Sequence, residues 1–262
     1  MMRPAASDIL DQPGAVMGGV LETILERARA GSRPGAREDP HRVGLVIEGG
    51  SMRGVVCGGM ISGLETLGLL RSFDAVYGTS AGALAGAYFL AGQARFGTTI
   101  YYEDINNSRF INYARPLLMK RPMLDVDYVV YEAIGRRKPL RWAAVLDSPI
   151  PLFALACNVD HARIHAFTNF RSRDELFQAL RASATMALVA GGPARVGSQR
   201  YYDGSLVEPI PLPTALADHC THVLVLLNQP FGRVGVNSPF DRCVIAPYLN
   251  HLRPNLGNLY LG

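Results

Sequence analysis

Two stretches of this chain share one arrangement: a short apolar run stops on a glycine-bearing turn, and a helix-forming run starts at once. The first is "RVGLVIEGGSMRGVVCGG" (42–59) and the second is "FDAVYGTSAGALAGAY" (73–88). A fully apolar run suits a strand covered on both faces, and a helix directly behind it suits the crossover that a parallel neighbour requires. Strand, tight turn and helix, twice in succession, predict an α/β fold with helices over a parallel sheet.

The rest of the sequence is compatible with that reading. The chain has 262 residues, 48% hydrophobic and 18% charged, enough to bury a sizeable core. The order of segments predicts an N-terminal extension (1–41), a main domain (42–230) and a C-terminal tail (231–262) that shows no pattern. Within the extension, Val20, Leu21, Ile24, Leu25 and Ala28 recur at helical spacing ahead of the linker "GSRPGAREDP". This is a short amphipathic helix expected to pack back on the domain. Apolar runs over 151–160, 163–170 and 221–229 read as strands. Residues 172–184 read as a helix that opens on a Ser172/Glu175 capping box. The stretch 95–148 is less regular and more basic, and reads as solvated helix faces and loops, with a cap that meets anionic lipid headgroups as the alternative.

The totals restrict partners only weakly. Net charge is +4, and of the 26 basic residues only Lys120 and Lys138 are lysines. Such a balance suits an anionic membrane surface as well as many other partners, and no nucleic-acid partner is expected. The four cysteines, Cys57, Cys157, Cys220 and Cys243, lack metal-ligand spacing and read as reduced core thiols of a cytoplasmic protein. No run is long enough to span a bilayer.

Ser80 sits at the centre of Gly78-Thr79-Ser80-Ala81-Gly82. Between a strand and a helix this is the position of a nucleophile elbow, with the helix N-terminus near the charge that develops during acyl transfer. The loop Gly49-Gly50-Ser51-Met52-Arg53-Gly54 also follows a strand and opens a helix, so its backbone N–H groups suit an anion. It fails the dinucleotide pattern at Ser51 and the phosphate-loop pattern for want of Gly-Lys-Ser/Thr. An oxyanion is therefore the better fit. None of the six histidines is well placed as a base: His219 and His222 fall at the wrong end of the last strand, and His251 lies in the tail. Asp203, at the strand end "YYDGS", is the better candidate. A carboxylate can serve as general base where its surroundings raise its pKa, although an Asp-Gly turn is common on its own account.

Glycine loop, GxSxG and Asp-Gly, in that order and each at a strand end, resemble the patatin-like phospholipase family. The matching stretches are "LVIEGGSMRGVVCGGMISGLE" (45–65), "DAVYGTSAGALAGAY" (74–88), "ASATMALVAGGPARVGSQRYYDGSLVEPIPLPTALA" (182–217) and "HVLVLLNQP" (222–230). The "EGG-x-MRG" form is most similar to the bacterial branch. The resemblance implies a three-layer α/β/α fold with a mainly parallel sheet, and a Ser–Asp dyad that cleaves acyl esters of lipids without metal or cofactor. Ser80 would be the nucleophile, Asp203 the base, and the 49–54 backbone the oxyanion hole, with lipid or phospholipid as substrate and peripheral contact with the membrane. Two positions depart from the family pattern. Ser51 replaces the third loop glycine and is expected to narrow the cleft, and Gly204-Ser205 replaces Gly-Gly or Gly-Ala. Family members of this branch often run on past the last strand, so a truncated C-terminus is a further expectation. Two other readings stay open: a catalytically weak relative that binds lipid or a protein partner, and a histidine-dependent esterase or acyltransferase.

Overall fold

The two apolar runs become the central strands of one sheet. In this computed structural model, which describes residues 17–230 and 238–262, β1 (Val43–Ile47) and β2 (Ala75–Thr79) are buried at every position. Burial on both faces is why neither sequence alternates. The two strands pair in parallel, Gly44 opposite Ala75 and Ile47 opposite Gly78. β7 (His222–Leu226) lies parallel on the far side of β1, and β3 (Leu152–Asn158) lies parallel beside β2. This parallel centre is extended by three antiparallel strands: β4 (Arg163–Phe167), β5 (Ala194–Val196) and β6 (Gln199–Asp203). The sheet order is β5-β6-β3-β2-β1-β7, with β4 also paired to β3.

One edge of β3 does most to shape the molecule. β4 occupies the opposite edge along Ala154–Asn158. The remaining edge is shared: β2 pairs with Leu152–Leu155 and β6 pairs with Ala156–Asn158. β2 is parallel to β3 and β6 is antiparallel, so the two run head-on along that edge. One stops at Thr79, opposite Leu155; the other stops at Asp203, opposite Ala156.

Helices cover both faces. α1 (Met17–Arg29), α2 (Gly54–Thr66), α3 (Ala81–Leu90), α4 (Ala94–Thr98) and α5 (Arg173–Ala184) pack with Val43, Leu45, Ile47 and Val76. On the other face α6 (Leu212–Ala217) packs Ala215 against Val46, Ala75 and Tyr77. α3 is buried on nearly every side, which explains its Ala/Gly composition: only small side chains let a helix lie between a sheet and an outer layer of helices. Ser172 caps α5 by accepting the Glu175 N–H at 3.2 Å. The irregular 95–148 stretch folds into short helices and a π-helix (Tyr128–Arg137) around the outer end of α3.

The extension is stitched to the domain. Ile24 is buried, and the Arg27 guanidinium, only 2% exposed, bonds Asp39 and Asp74 at 2.7 Å and the Ser72 carbonyl at 2.9 Å. Arg37 adds a second ion pair to Asp74 at 2.8 Å. The C-terminal residues differ from expectation. They form α7 (Ala246–Leu252) and α8 (Leu256–Leu261), whose Leu249 and Leu256 pack on Cys157 and Tyr202 of the sheet. These helices are too short, and too interrupted by Pro247 and Pro254, to show a period in the sequence. Residues 231–237 of the expected tail, and 1–16 of the extension, lie outside the described residues. Cys57, Cys157 and Cys220 are buried as expected, but Cys243 is exposed on a helix face.

Candidate active site

Ser80 occupies the single residue between β2 and α3, and the reversal there forces an unusual backbone. Its φ is 56° and ψ −123°, a conformation that costs a residue with a Cβ about 1–3 kcal/mol. Close packing holds it there. A Cβ on Gly78 would sit 2.5 Å from the Gly82 carbonyl, and one on Gly82 would sit 2.2 Å from the Ile47 carbonyl. Both flanking glycines are thus required by backbone approach. The Ser80 N–H donates to Ser183 Oγ at 2.8 Å, and the Ser183 hydroxyl donates to the Leu155 carbonyl at 2.6 Å. Thr79 Oγ1 donates to the Glu208 carbonyl at 3.0 Å.

Ser183 has no motif to announce it, yet it is fully buried and ties the elbow to β3 and α5. Ser183→Ala leaves the Ser80 N–H buried without an acceptor. The expected cost is about 1–3 kcal/mol in urea unfolding, with a fall in any activity that needs the elbow. An unchanged unfolding midpoint would show that the bond contributes nothing.

Asp203 ends β6 and is 1% exposed. Its own N–H donates to the Thr185 carbonyl at 2.8 Å, and its Oδ1 accepts the Ser205 N–H at 2.8 Å, the Asx turn that Gly204-Ser205 continues. Gly204 packs its α-carbon against β3; a Cβ there would meet the Leu155 carbonyl at 2.6 Å. Burial pushes the Asp203 carboxyl above the usual carboxylate range, while the Ser80 hydroxyl and Ser205 pull it back by favouring the charged form. Oδ2 is buried and has no hydrogen bond of good geometry. A buried carboxylate oxygen without a partner is costly, and such oxygens cluster where chemistry needs them.

The glycine loop is held from β7. Asn228 donates from Nδ2 to the Glu48 carbonyl at 2.9 Å and the Gly49 carbonyl at 3.2 Å, and its Oδ1 accepts the Cys57 N–H at 3.2 Å. The buried Glu48 carboxylate accepts in return from the Asn228 N–H and from Gln229 Nε2. Three of the six expected donors in the loop are committed elsewhere. Gly49 donates to the Pro209 carbonyl and Arg53 to the Gly50 carbonyl, both at 3.0 Å, and Gly54 donates within the 3-10 turn Ser51–Arg53. Among the described residues, the N–H groups of Gly50, Ser51 and Met52 have no acceptor. Ser51 takes a φ of 50°, the left-handed region that glycine fits without cost, and lines the cleft as expected of it. The Arg53 side chain is exposed.

Ser51, Ser80 and Ala81 line an apolar cleft. It runs past Leu84 and Tyr88 of α3 to Phe110, Leu124, Val129 and Ile134 in the 95–148 stretch. This stretch, read from sequence as solvated faces, is therefore also a wall of the cleft.

The structure brings Ser80, Asp203 and the 49–54 loop to the C-terminal ends of the strands, where open α/β sheets place their sites. It leaves the histidines out. Among the described residues none hydrogen-bonds Ser80 or Asp203. His222 pairs with Val43 at the opposite end of the sheet and packs on His41 with ring centroids 4.2 Å apart. Burial pushes the Cys57 and Cys157 thiols up to about 12, so neither supplies a thiolate at neutral pH. Among the described residues no group of three or more His, Cys, Asp or Glu is arranged to hold a metal ion, and no helix is long and apolar enough to cross a membrane. Ser183, Asn228 and Glu48 were not singled out as site residues from the sequence. Only Glu48, as the first letter of "EGG-x-MRG", left a signal there.

The patatin-like phospholipase family matches residues 45–216, and the chain belongs to that family. The uncharacterized protein YjjU of Escherichia coli (strain K12) is 25% identical over 196 residues, 73% of this chain and 53% of YjjU. Among solved structures, VipD from Legionella pneumophila superposes with a TM-score of 0.43 and 13% identity, over 63% of this chain and 46% of VipD. The chain spans about half the length of each.

Proposed function

We propose that this protein is a serine lipid acyl hydrolase in which Ser80 is the nucleophile and Asp203 its base. One observation carries the reading. β2 and β6 meet head-on along one edge of β3, which sets the strained Ser80 elbow beside a buried carboxylate with an unpartnered oxygen. Asp203 Oδ2 accepts the Ser80 proton as Oγ attacks the ester carbonyl. The free N–H groups of Gly50, Ser51 and Met52, with that of Ala81 at the start of α3, face the developing oxyanion. Collapse of the tetrahedral intermediate expels the alcohol, which takes the proton back from Asp203. A water, activated the same way, then releases the acid. The apolar cleft supports a long acyl chain on the acid side, since its lining offers such a chain only hydrocarbon contacts.

The test is covalent trapping. A fluorophosphonate probe is expected to label the folded protein once, and peptide mass spectrometry is expected to find the adduct on Ser80. A folded protein that takes no label would favour a relative that binds lipid without cleaving it. A second reading, a relative of weak activity, has support in Ser51, which lines the cleft where the family pattern has a glycine.

A further inference from the structure

We propose that the hairpin formed by residues 112–123 is a docking element that seats the cleft on an anionic phospholipid bilayer. Its base is fixed to the body. Ile111 bridges to Leu124, the Asn112 N–H donates to the Met123 carbonyl at 3.0 Å, and the Leu124 N–H donates to the Val189 carbonyl at 2.8 Å. Phe110 and Leu124, at that base, line the apolar cleft.

The tip is built the opposite way. The short helix Arg115–Met119 has no buried residue and presents Leu117, Leu118 and Met119 at 85%, 73% and 60% exposure, with Tyr113 at 77% beside them. The exposure belongs to an ordered hairpin. The Arg115 guanidinium grips the Ser108 and Arg109 carbonyls at 2.8 Å and the Pro122 carbonyl at 3.3 Å, clamping both arms. Scattered surface leucines need no explanation, but three consecutive large apolar side chains on a clamped tip do.

Charge selects the partner. Residues 105–124 contain Arg109, Arg115, Lys120 and Arg121 and no Asp or Glu. Among the described residues Lys120 and Arg121 make no ion pair. An apolar tip inside a basic collar fits an interface whose headgroups are anionic and whose interior is hydrocarbon. An exposed apolar patch on a second protein would match the leucines but leave the collar unmatched. Seated this way, the hairpin puts the bilayer next to the residues that wall the cleft. The claim that docked lipid is also substrate rests on the acyl-hydrolase reading; the docking itself does not.

The experiment is flotation of the full chain with vesicles of phosphatidylcholine alone and of phosphatidylcholine mixed with phosphatidylglycerol. Wild type is expected to float with the mixed vesicles and far less with the neutral ones. Lys120→Glu with Arg121→Glu should weaken binding by roughly fivefold for each basic residue removed. Leu117→Asp with Leu118→Asp should weaken it by about tenfold or more. Both double variants are expected to keep the wild-type rate on a soluble short-chain nitrophenyl ester, which shows that they fold. Wild type that ignores mixed vesicles, or variants that bind as wild type does, would overturn the proposal. So would a wild-type dimer that the leucine variant dissociates, since the tip would then pack on a second copy. If wild type binds vesicles but cleaves no ester, docking stands and the hydrolase reading falls.

Discussion

Ser80→Ala is expected to lower kcat/KM on a soluble ester by ~10⁴-fold or more and to abolish fluorophosphonate labelling, the scale seen when a serine nucleophile is removed and only binding and oxyanion donors remain. A second substitution makes the test sharper. Ser80 holds a φ of 56°, so alanine inherits the strain and glycine does not. Ser80→Gly should therefore be as inactive as Ser80→Ala yet more stable by about 1 kcal/mol in urea unfolding, after the entropy cost of glycine is counted. Strain kept in place for chemistry predicts this separation of activity from stability. Activity of Ser80→Ala within tenfold of wild type would remove Ser80 as the nucleophile. Equal stability of the two variants would show that the elbow relaxes when the hydroxyl goes.

Much of this site could be read from the sequence, for a physical reason. The units β1–loop–α2 and β2–elbow–α3 are local: strand, turn and helix follow within about twenty residues, and the turn needs glycine at fixed places. Gly78 and Gly82 mark Ser80 because backbone presses on both, the first turn of α3 on Gly78 and the end of β1 on Gly82. Asp203 is different. "YYDGS" alone is an Asp-Gly turn, and only the shared edge of β3 brings it to Ser80. That edge depends on where β2 and β6 stop, which no local pattern records. The family resemblance supplied the pairing that spacing could not.

The supporting residues were harder still to see. Ser183 works because α5 ends next to the elbow, and Asn228 works because β7 lies beside β1. A lone serine in a helix and an asparagine after a strand carry no signal of such contacts. The loop N–H groups that donate elsewhere were also hidden, since their acceptors, Pro209 and Gly50, become visible only with the chain folded. The 95–148 stretch misled for a related reason. Most of its charges are solvated, but residues between them turn inward to wall the cleft, and short helices and a π-helix carry no clean period.

Asp203→Asn is expected to move activity and stability in opposite directions. Loss of the base should cost ~10⁴-fold in kcat/KM, comparable to removing a triad carboxylate. Stability should rise at neutral pH. The folded pKa of Asp203 lies above its model value of 3.8 because burial disfavours the charge. Between the unfolded and folded pKa values the native state therefore holds a proton that the unfolded state has lost. Stability then falls as pH rises through that window, by about 1.4 kcal/mol for each unit of the difference. Asparagine carries no such penalty. The gain from Asp203→Asn should be full above the raised pKa, shrink as pH falls through it, and vanish below about 3.8. Asp39, Asp218 and Asp241, whose pKa values are lowered, lose stability toward acid in both proteins, so they cancel in the difference. The same raised pKa should set the acid limb of the wild-type rate, because a protonated Asp203 cannot take the Ser80 proton. Urea unfolding of both proteins across pH, beside the wild-type pH–rate profile, tests all of this together. A stability gain that does not change with pH, or an acid limb at the ordinary carboxylate value, would mean that Asp203 is not a buried base.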